Sequence, residues 1–151
     1  TVMIEVRPAD RKDVQAIFDL IKELALYEKA PEQVTNTVKQ LEHDLFDVNI
    51  CDAIVATEEE QVLGFALYYT SYSTWKGASM YLEDFYVSEN HRRKGIGQKI
   101  FSEVVEIAKR KKMARMDWQV LDWNQLAIDF YKKNNAILEE EWLNGRLYFS
   151  Y

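Results

Sequence analysis

The feature that most constrains this chain is a strand pattern that runs directly into a glycine-spaced turn and then into a helix pattern. The strand covers residues 81–87, and residues 92–97 read Arg-Arg-Lys-Gly-Ile-Gly. Two of the chain's five glycines, Gly95 and Gly97, lie in this turn. Glycine lets the backbone bend sharply and lets an anion approach the amides. Because a helix N-terminus presents unpaired N–H groups and basic side chains add charge, the pattern predicts a polyphosphate site.

The residues that this turn lacks narrow the choice of polyphosphate. A Walker loop needs Gly-Lys-Ser/Thr after a longer glycine spacing, which is absent. A dinucleotide fingerprint needs a third small residue where Ile100 stands. The remaining pattern, Arg-x-x-Gly-x-Gly, fits a plain tight turn about equally well when taken alone. The strand before it and the amphipathic helix after it favour the binding interpretation.

Composition limits the class of protein and of partner. A chain of 151 residues, 48% of them apolar, predicts one domain over residues 1–151. The net charge of −6 argues against a nucleic-acid partner and favours a small cationic one. A single cysteine, Cys51, with neither a signal peptide nor a membrane-length apolar run, predicts a cytoplasmic protein without membrane contact. His43 and His91 make no metal-ligand spacing with Cys51, so no metal is expected.

The periodicity predicts an α+β fold with a mixed sheet. The expected order is strand, two helices, three strands, helix, strand, helix and a closing strand. Thr37 and Asn124 are expected to cap helices. The last two strands are predicted from the alternation of Met116, Trp118 and Val120, and from Leu147 and Phe149.

The turn with Arg92, Gly95 and Gly97 resembles the acetyl-CoA pyrophosphate loop of the GNAT superfamily of N-acetyltransferases, whose element order also matches. Residues 20–25, 73–77 and 120–125 resemble its diamine (spermidine/spermine) and thialysine Nε-acetyltransferase branch. The resemblance implies a GNAT fold, with a mixed central sheet, about four flanking helices and acetyl-CoA at a splayed strand and the next helix N-terminus. It also implies a homodimer and acetyl transfer to a diamine, polyamine or lysine-like amine.

The same resemblance assigns site residues by position. The expected acetyl-CoA contacts are the backbone of Phe85, Tyr86 and Val87, the turn residues Arg92, Arg93, Lys94, Gly95, Ile96, Gly97 and Gln98, and then Asn124, Gln125, Leu126, Ala127 and Lys133. The expected amine contacts are Tyr27, Glu28, Trp75, Glu83, Asp117, Trp118 and Gln119. Packing is the alternative role for Trp118.

Acetyl transfer to an amine requires three tasks of these residues. An alkylamine has a pKa of about 10.4, so selecting the neutral form at pH 7 costs about 4.6 kcal/mol. The resemblance implies that Glu83 binds the cationic amine or accepts its proton through water. Backbone N–H groups after it would stabilise the developing oxyanion. Tyr131, seven residues after Asn124 on the same helix face, would protonate the departing thiolate, with packing as its alternative role.

Two other functions remain open at this point. An acetyltransferase of protein or peptide amines would need an open cleft rather than an acidic groove. A non-catalytic acetyl-CoA-binding module would bind the cofactor without turnover, although Tyr131 and Asn124 favour catalysis. Cys51 has no base near it in the sequence, so a covalent acyl-enzyme is not expected.

Overall fold

A computed structural model describes residues 3–92 and 94–151 of the chain. The chain divides into two compact units, Thr1–Gln119 and Val120–Tyr151. The first unit holds the sheet and three of the helices, and the second holds the last helix. In the part that the structure describes, no helix is both long and apolar enough to span a bilayer.

The first unit is built on one five-stranded sheet in the order β1-β2-β3-β4-β5. The pairs from β1 to β4 are antiparallel, whereas β4 and β5 are parallel, so the sheet is mixed as predicted. The strands are β1 Glu5–Pro8, β2 Asp52–Glu58, β3 Gln61–Ser73, β4 Gly77–Val87 and β5 Met116–Asp117. The helices are α1 Val14–Tyr27, α2 Val38–Glu42, α3 Ile96–Arg110 and α4 Gln125–Lys133.

The predicted helix starts are confirmed by their caps. The Thr37 hydroxyl accepts a hydrogen bond from the backbone N–H of Gln40 at 3.1 Å, ahead of α2. The Asn124 side-chain oxygen accepts from the backbone N–H of Ala127 at 3.3 Å, ahead of α4. Each side chain satisfies a donor that the first helical turn leaves unpaired.

The two faces of the sheet bury different helices. On one face, α1 and the α2 segment pack on the odd-numbered residues of β2 and β3, which include Ala53, Val55, Phe65 and Leu67. Side chains alternate along a strand, so Ile54, Ala56, Ala66 and Tyr68 point to the other face. That face is covered by α3, which buries Ile96, Ile100, Phe101, Val104 and Ala108.

The predicted closing strand is wrong. Leu147 and Phe149 are 83% and 73% exposed and lie outside any strand. Alternation of side chains makes a strand only where a partner takes up its N–H and C=O groups, and the described residues 138–151 pair with none. The strand predicted from Met116, Trp118 and Val120 also shortens, to Met116–Asp117.

Candidate active site

The parallel end of the sheet is open between β4 and β5. Their ladder consists of two pairs, Met80 with Met116 and Tyr81 with Asp117. Strand β4 continues past the last pair as far as Val87. Within the described residues no strand pairs with β4 on that side beyond Tyr81, so the end of β4 is an open edge of the sheet.

A β-bulge at Glu83 sets which side chains of β4 face which helix. Leu82 pairs with Tyr68 of β3 and Asp84 pairs with Leu67, so Glu83 is an extra residue on β4. Paired residues share a face of the sheet. Asp84 therefore lies on the face covered by α1, which it would not do if the strand alternated regularly from Leu82.

Beyond the bulge, β4 presents alternate residues to the two helices. Tyr86 belongs to the core cluster with α1. Phe85 and Val87 face α3, since a Cβ added to Gly97 would lie 3.6 Å from the Phe85 ring and 3.8 Å from a Val87 methyl. The end of β4 thus separates an α1 side from an α3 side.

On the α3 side, the glycine turn prepares a helix N-terminus for an anion. Gly95 is the N-cap of α3 and has a φ of 74°, in the left-handed region that glycine adopts without strain. It has no side chain to cap the first-turn amides, so these are suited to an outside acceptor such as a pyrophosphate. A surface cavity of about 510 Å³ adjoins Lys94 and Lys99 in this region and is also lined by Met3, Ile4 and Glu58. Arg93 lies outside the described residues.

Gly64 on β3 brings α3 close to the end of β4. A Cβ at this position would lie 2.9 Å from the Tyr86 carbonyl oxygen, 3.0 Å from the Ile100 Cδ1 and 3.2 Å from the Val87 Cα. Real Cβ atoms almost never come so near to backbone atoms. The absence of a side chain at Gly64 therefore fixes the spacing between β4 and the helix that follows the glycine turn.

On the α1 side, three carboxyl groups lie near one another. Burial, followed by the charges of Glu83 and Glu28, raises the pKa of Asp84 to about 7. Burial also raises the pKa of Glu28, which follows the last residue of α1. Glu83 is exposed, and burial together with its charge and hydrogen bond raises the pKa of Tyr69. This acidic group of Glu28, Glu83 and Asp84 suits a cationic amine.

Arg92 turns its side chain back toward α1 and β4. Its guanidinium carbon lies 4.9 Å from the ring centroid of Tyr27 and 5.3 Å from that of Tyr86. Its Nε donates a hydrogen bond to the Val87 carbonyl oxygen at 3.4 Å. The backbone of Arg92 thus belongs to the turn predicted to bind the cofactor, while its side chain belongs to the α1 side.

The other residues predicted to contact the amine do not all gather with these acids. Trp75 is 87% exposed at the tip of the β3–β4 hairpin, and the strand from Gly77 to Asp84 places the tip roughly 20 Å from the acids at about 3.3 Å per residue. Asp117 forms an exposed ion pair with Arg115 at 2.9 Å, and Gln119, two residues further on, is exposed. Trp118 stacks edge-on against Phe101 at 5.6 Å, as its packing role predicts.

The second unit carries the remaining predicted site residues on α4. Tyr131 is the buried residue of this helix, and its ring packs edge-on against Phe130 at 5.6 Å. Gln125 donates from its side chain to Asp129 at 2.7 Å, and Leu126 and Lys133 are exposed. The Asn124 cap fixes the first turn of the helix on which Tyr131 lies.

Three residues of this arrangement, Asp84, Gly64 and Tyr69, are not among the site residues predicted from the sequence. The adjacent acids Glu83 and Asp84 both stand out in an apolar strand, and the family resemblance favours Glu83. The bulge that places Asp84 on the α1 side comes from pairing with β3, which alternation does not report. Gly64 and Tyr69 act through contacts between neighbouring elements of the fold, which periodicity does not report. Within the described ranges, His, Cys, Asp and Glu form no group of three or more that could hold a metal.

Comparisons with known proteins agree with this geometry. Residues 14–136 match the model of the acetyltransferase (GNAT) family. A thialysine N-epsilon-acetyltransferase from Bos taurus is 41% identical over 88% of this chain and 84% of its own length. A human spermidine/spermine N(1)-acetyltransferase-like protein 1 is 33% identical over 91% of this chain and 21% of that protein.

Solved structures show the same fold. An integron cassette protein from the mobile metagenome of V. cholerae superposes with a TM-score of 0.77 at 26% identity, covering 97% of this chain and 93% of its own. The family match covers most of the chain, and the open strand, the glycine turn and the uncapped helix are where the resemblance predicted them. This chain belongs to the GNAT family of acetyltransferases.

Proposed function

We propose that this protein transfers the acetyl group of acetyl-CoA directly to a primary amine of a small aliphatic amine. The substrate would be a diamine, a polyamine or a lysine-like amino acid such as thialysine. The thialysine acetyltransferase relatives support the amine class. The observation that carries the proposal is the opposite chemistry of the two sides of β4, with an anion-binding turn on one side and an acidic group on the other.

The acetyl-CoA side would be formed by the end of β4 and the start of α3. The backbone of Phe85, Tyr86 and Val87 would hold the pantetheine arm and the acetyl group, and the turn residues Arg93 to Gln98 would hold the pyrophosphate. The glycine N-cap supports this role, because it leaves the first-turn amides suited to an outside acceptor. Residues Asn124, Gln125, Leu126, Ala127 and Lys133 would complete the site, an assignment that rests on the family pattern alone.

The amine side would be formed by the acidic group together with Tyr27. A carboxyl whose pKa is about 7 is half ionised near neutral pH, so Asp84 can hold the ammonium group and then accept its proton. Moving a proton from an amine of pKa about 10.4 to such a group costs about 4.6 kcal/mol, which the site must offset through the attack that follows. Asp84 thereby shares the role predicted for Glu83.

Bound acetyl-CoA supplies a thioester carbonyl for attack by the neutral amine. The N–H groups at the end of β4 would stabilise the carbonyl oxygen as it gains charge. The Tyr131 hydroxyl would return a proton to the departing sulfur. The C–N bond forms as the C–S bond breaks, and the ammonium nitrogen loses two protons in all, one before attack and one after it bonds to the carbonyl carbon. One proton ends on the departing sulfur and the other is released to solvent, so the reaction balances without an acyl-enzyme.

We further propose that residues 1–151 form a single acetyltransferase domain that acts as a cytoplasmic homodimer. The family match supports the first point, since residues 14–136 span both compact units. The exposed aromatic side chains of Tyr72 and Trp75 at the hairpin tip support the homodimer, because a second copy could cover them. Trp75 and the C-terminal residues Trp142 and Leu143 would then be covered by a second copy.

The test is the release of free thiol from acetyl-CoA across a panel of amines. The panel holds putrescine, spermidine, spermine, lysine, thialysine and a lysine-containing peptide, with a blank that contains no amine. We expect turnover with at least one free amine well above turnover with the peptide. Turnover with the peptide alone would favour protein acetylation, and tight acetyl-CoA binding without turnover would favour a non-catalytic module.

A further inference from the structure

Two charged side chains join α1 to the turn between β4 and α3. The first is Glu23, which lies on α1, and the second is Arg92, which lies in the turn. The first has no role in the acetyl-transfer chemistry above, and the predicted acetyl-CoA contact of the second does not account for its side chain, which lies against α1. Each reaches across to the other element. The pair crosses from the amine side of β4 to the acetyl-CoA side.

Glu23 holds the end of β4 and the start of the turn. Its Oε1 accepts hydrogen bonds from the Tyr86 hydroxyl at 2.9 Å, the Ser88 hydroxyl at 3.4 Å and the Glu89 backbone N–H at 3.1 Å. Burial and the hydrogen bond to Glu23 raise the pKa of Tyr86 to about 12, so this phenol remains a donor at physiological pH. One carboxylate oxygen from α1 therefore fixes three groups ahead of the glycine turn.

Arg92 makes the reciprocal contact from the turn to the end of α1. Its planar guanidinium lies against the rings of Tyr27 and Tyr86, and its Nε donates to the Val87 carbonyl oxygen. Tyr27 is the last residue of α1 and precedes Glu28 of the acidic group. A stacked, hydrogen-bonded guanidinium cannot be replaced by a lysine ammonium, which is a compact point charge.

We propose that Glu23 and Arg92 form a clasp that couples acetyl-CoA binding at the turn to the order of the amine side at the end of α1. Both are positioning residues. Acetyl-CoA fixes the turn, the turn fixes Arg92, and Arg92 fixes Tyr27 and the adjacent Glu28. Because coupling between two binding sites is reciprocal, a bound amine then strengthens acetyl-CoA binding by the same factor.

Hydrogen–deuterium exchange tests the clasp without any need for turnover. We expect coenzyme A to slow exchange of residues 24–30 at the end of α1 by at least fivefold in the unaltered protein. The slowing should disappear in Glu23→Ala and in Arg92→Lys at saturating coenzyme A. Two matched controls should keep the slowing of exchange by coenzyme A. They are Asp19→Ala, on the exposed face of α1, and Arg110→Lys, at the far end of α3.

A further pair of variants separates the clasp from a loss of folding. Tyr27→Leu removes the ring that Arg92 contacts and leaves the turn intact, whereas Tyr27→Phe keeps the ring. We expect the leucine variant to lose the slowing and the phenylalanine variant to retain it, with coenzyme A binding measured by calorimetry in both. Unchanged exchange of residues 24–30 on coenzyme A binding, or equal slowing in Arg92→Lys, would overturn the proposal.

The kinetic consequence rests on the proposed function. With the best amine of the panel, we expect Arg92→Lys to raise the amine KM about fivefold at saturating acetyl-CoA while changing kcat less than twofold. An unchanged amine KM in Arg92→Lys would indicate that only the positive charge at position 92 matters, and would contradict the clasp. If no amine is acetylated, the proposed function fails, whereas the exchange experiment still decides the clasp.

Discussion

The two sides of strand β4 share a backbone and differ in almost everything else. On the α3 side, Phe85 and Val87 pack against Gly97 at the start of a helix with a glycine N-cap. On the α1 side, Asp84 lies with Glu28 and Glu83, and burial raises the pKa of Asp84 and of Glu28 above their ordinary values. The contrast teaches that the pleat of one strand can present groups of opposite chemistry on its two sides, and the proposed function assigns acetyl-CoA to one side and the amine to the other.

The largest effect is expected from a residue outside both sides of β4. Tyr131→Phe should lower kcat about 100-fold, since general acids contribute at least that much in comparable reactions. The KM values should change little if the hydroxyl acts only on the departing sulfur. The matched control is Tyr148→Phe, which alters an exposed tyrosine. Unchanged kcat at every pH in Tyr131→Phe would show that the tyrosine has a packing role.

Asp84→Asn tests whether the α1 side is the amine side. We expect kcat/KM for the amine to fall about 30-fold, because a lost charge-assisted contact is worth about 1.5–3 kcal/mol. Acetyl-CoA affinity should change less than twofold. In the unaltered protein, kcat/KM should rise with pH through about 7 as Asp84 ionises, and the variant should lose this step.

The matched control for this change is Glu59→Gln, in the exposed β2–β3 turn, which should leave kcat/KM unchanged. If Asp84→Asn weakened acetyl-CoA binding as much as it lowered amine turnover, the division of the two sides would be wrong.

Gly64→Ala tests the α3 side through its spacing. The added Cβ would clash with the Tyr86 carbonyl and the Ile100 side chain, and should push α3 away from the end of β4. We expect acetyl-CoA affinity, measured by calorimetry, to fall about tenfold, in line with about 1–3 kcal/mol for overpacking. Gly145→Ala, where nothing lies within 4 Å, is the control. An unaltered acetyl-CoA affinity in Gly64→Ala would show that this spacing does not matter to the site.

The smallest effect is a change in the pH dependence of stability. The pKa of Asp84 is higher in the folded chain than its ordinary value of 3.8, so folding favours the protonated carboxyl. Its contribution is present below about pH 4 and is lost as pH rises through about 7. Asp84→Asn should therefore melt several degrees above the unaltered protein at pH 8, and the difference should shrink at pH 5. An equal difference at both pH values would contradict the burial of this carboxyl.

The same contrast explains how far the sequence could predict the structure. The glycine turn and its helix were predictable because their signals are local: Gly95 takes a left-handed φ, and residues 96–110 repeat with the helical period. The place of Asp84 on the α1 side could not be predicted, because the bulge at Glu83 comes from pairing with β3, which alternation cannot report. The closing strand failed for a related reason, since Leu147 and Phe149 alternate without a partner.

The central claim is that both substrates are held together, one on each side of β4. The most direct test is a matrix of initial rates in which acetyl-CoA and the best amine are both varied. We expect double-reciprocal lines that intersect, as a ternary complex requires, and Cys51→Ala should leave them unchanged. Parallel lines would indicate an acetylated enzyme that forms before the amine binds, and would contradict the account.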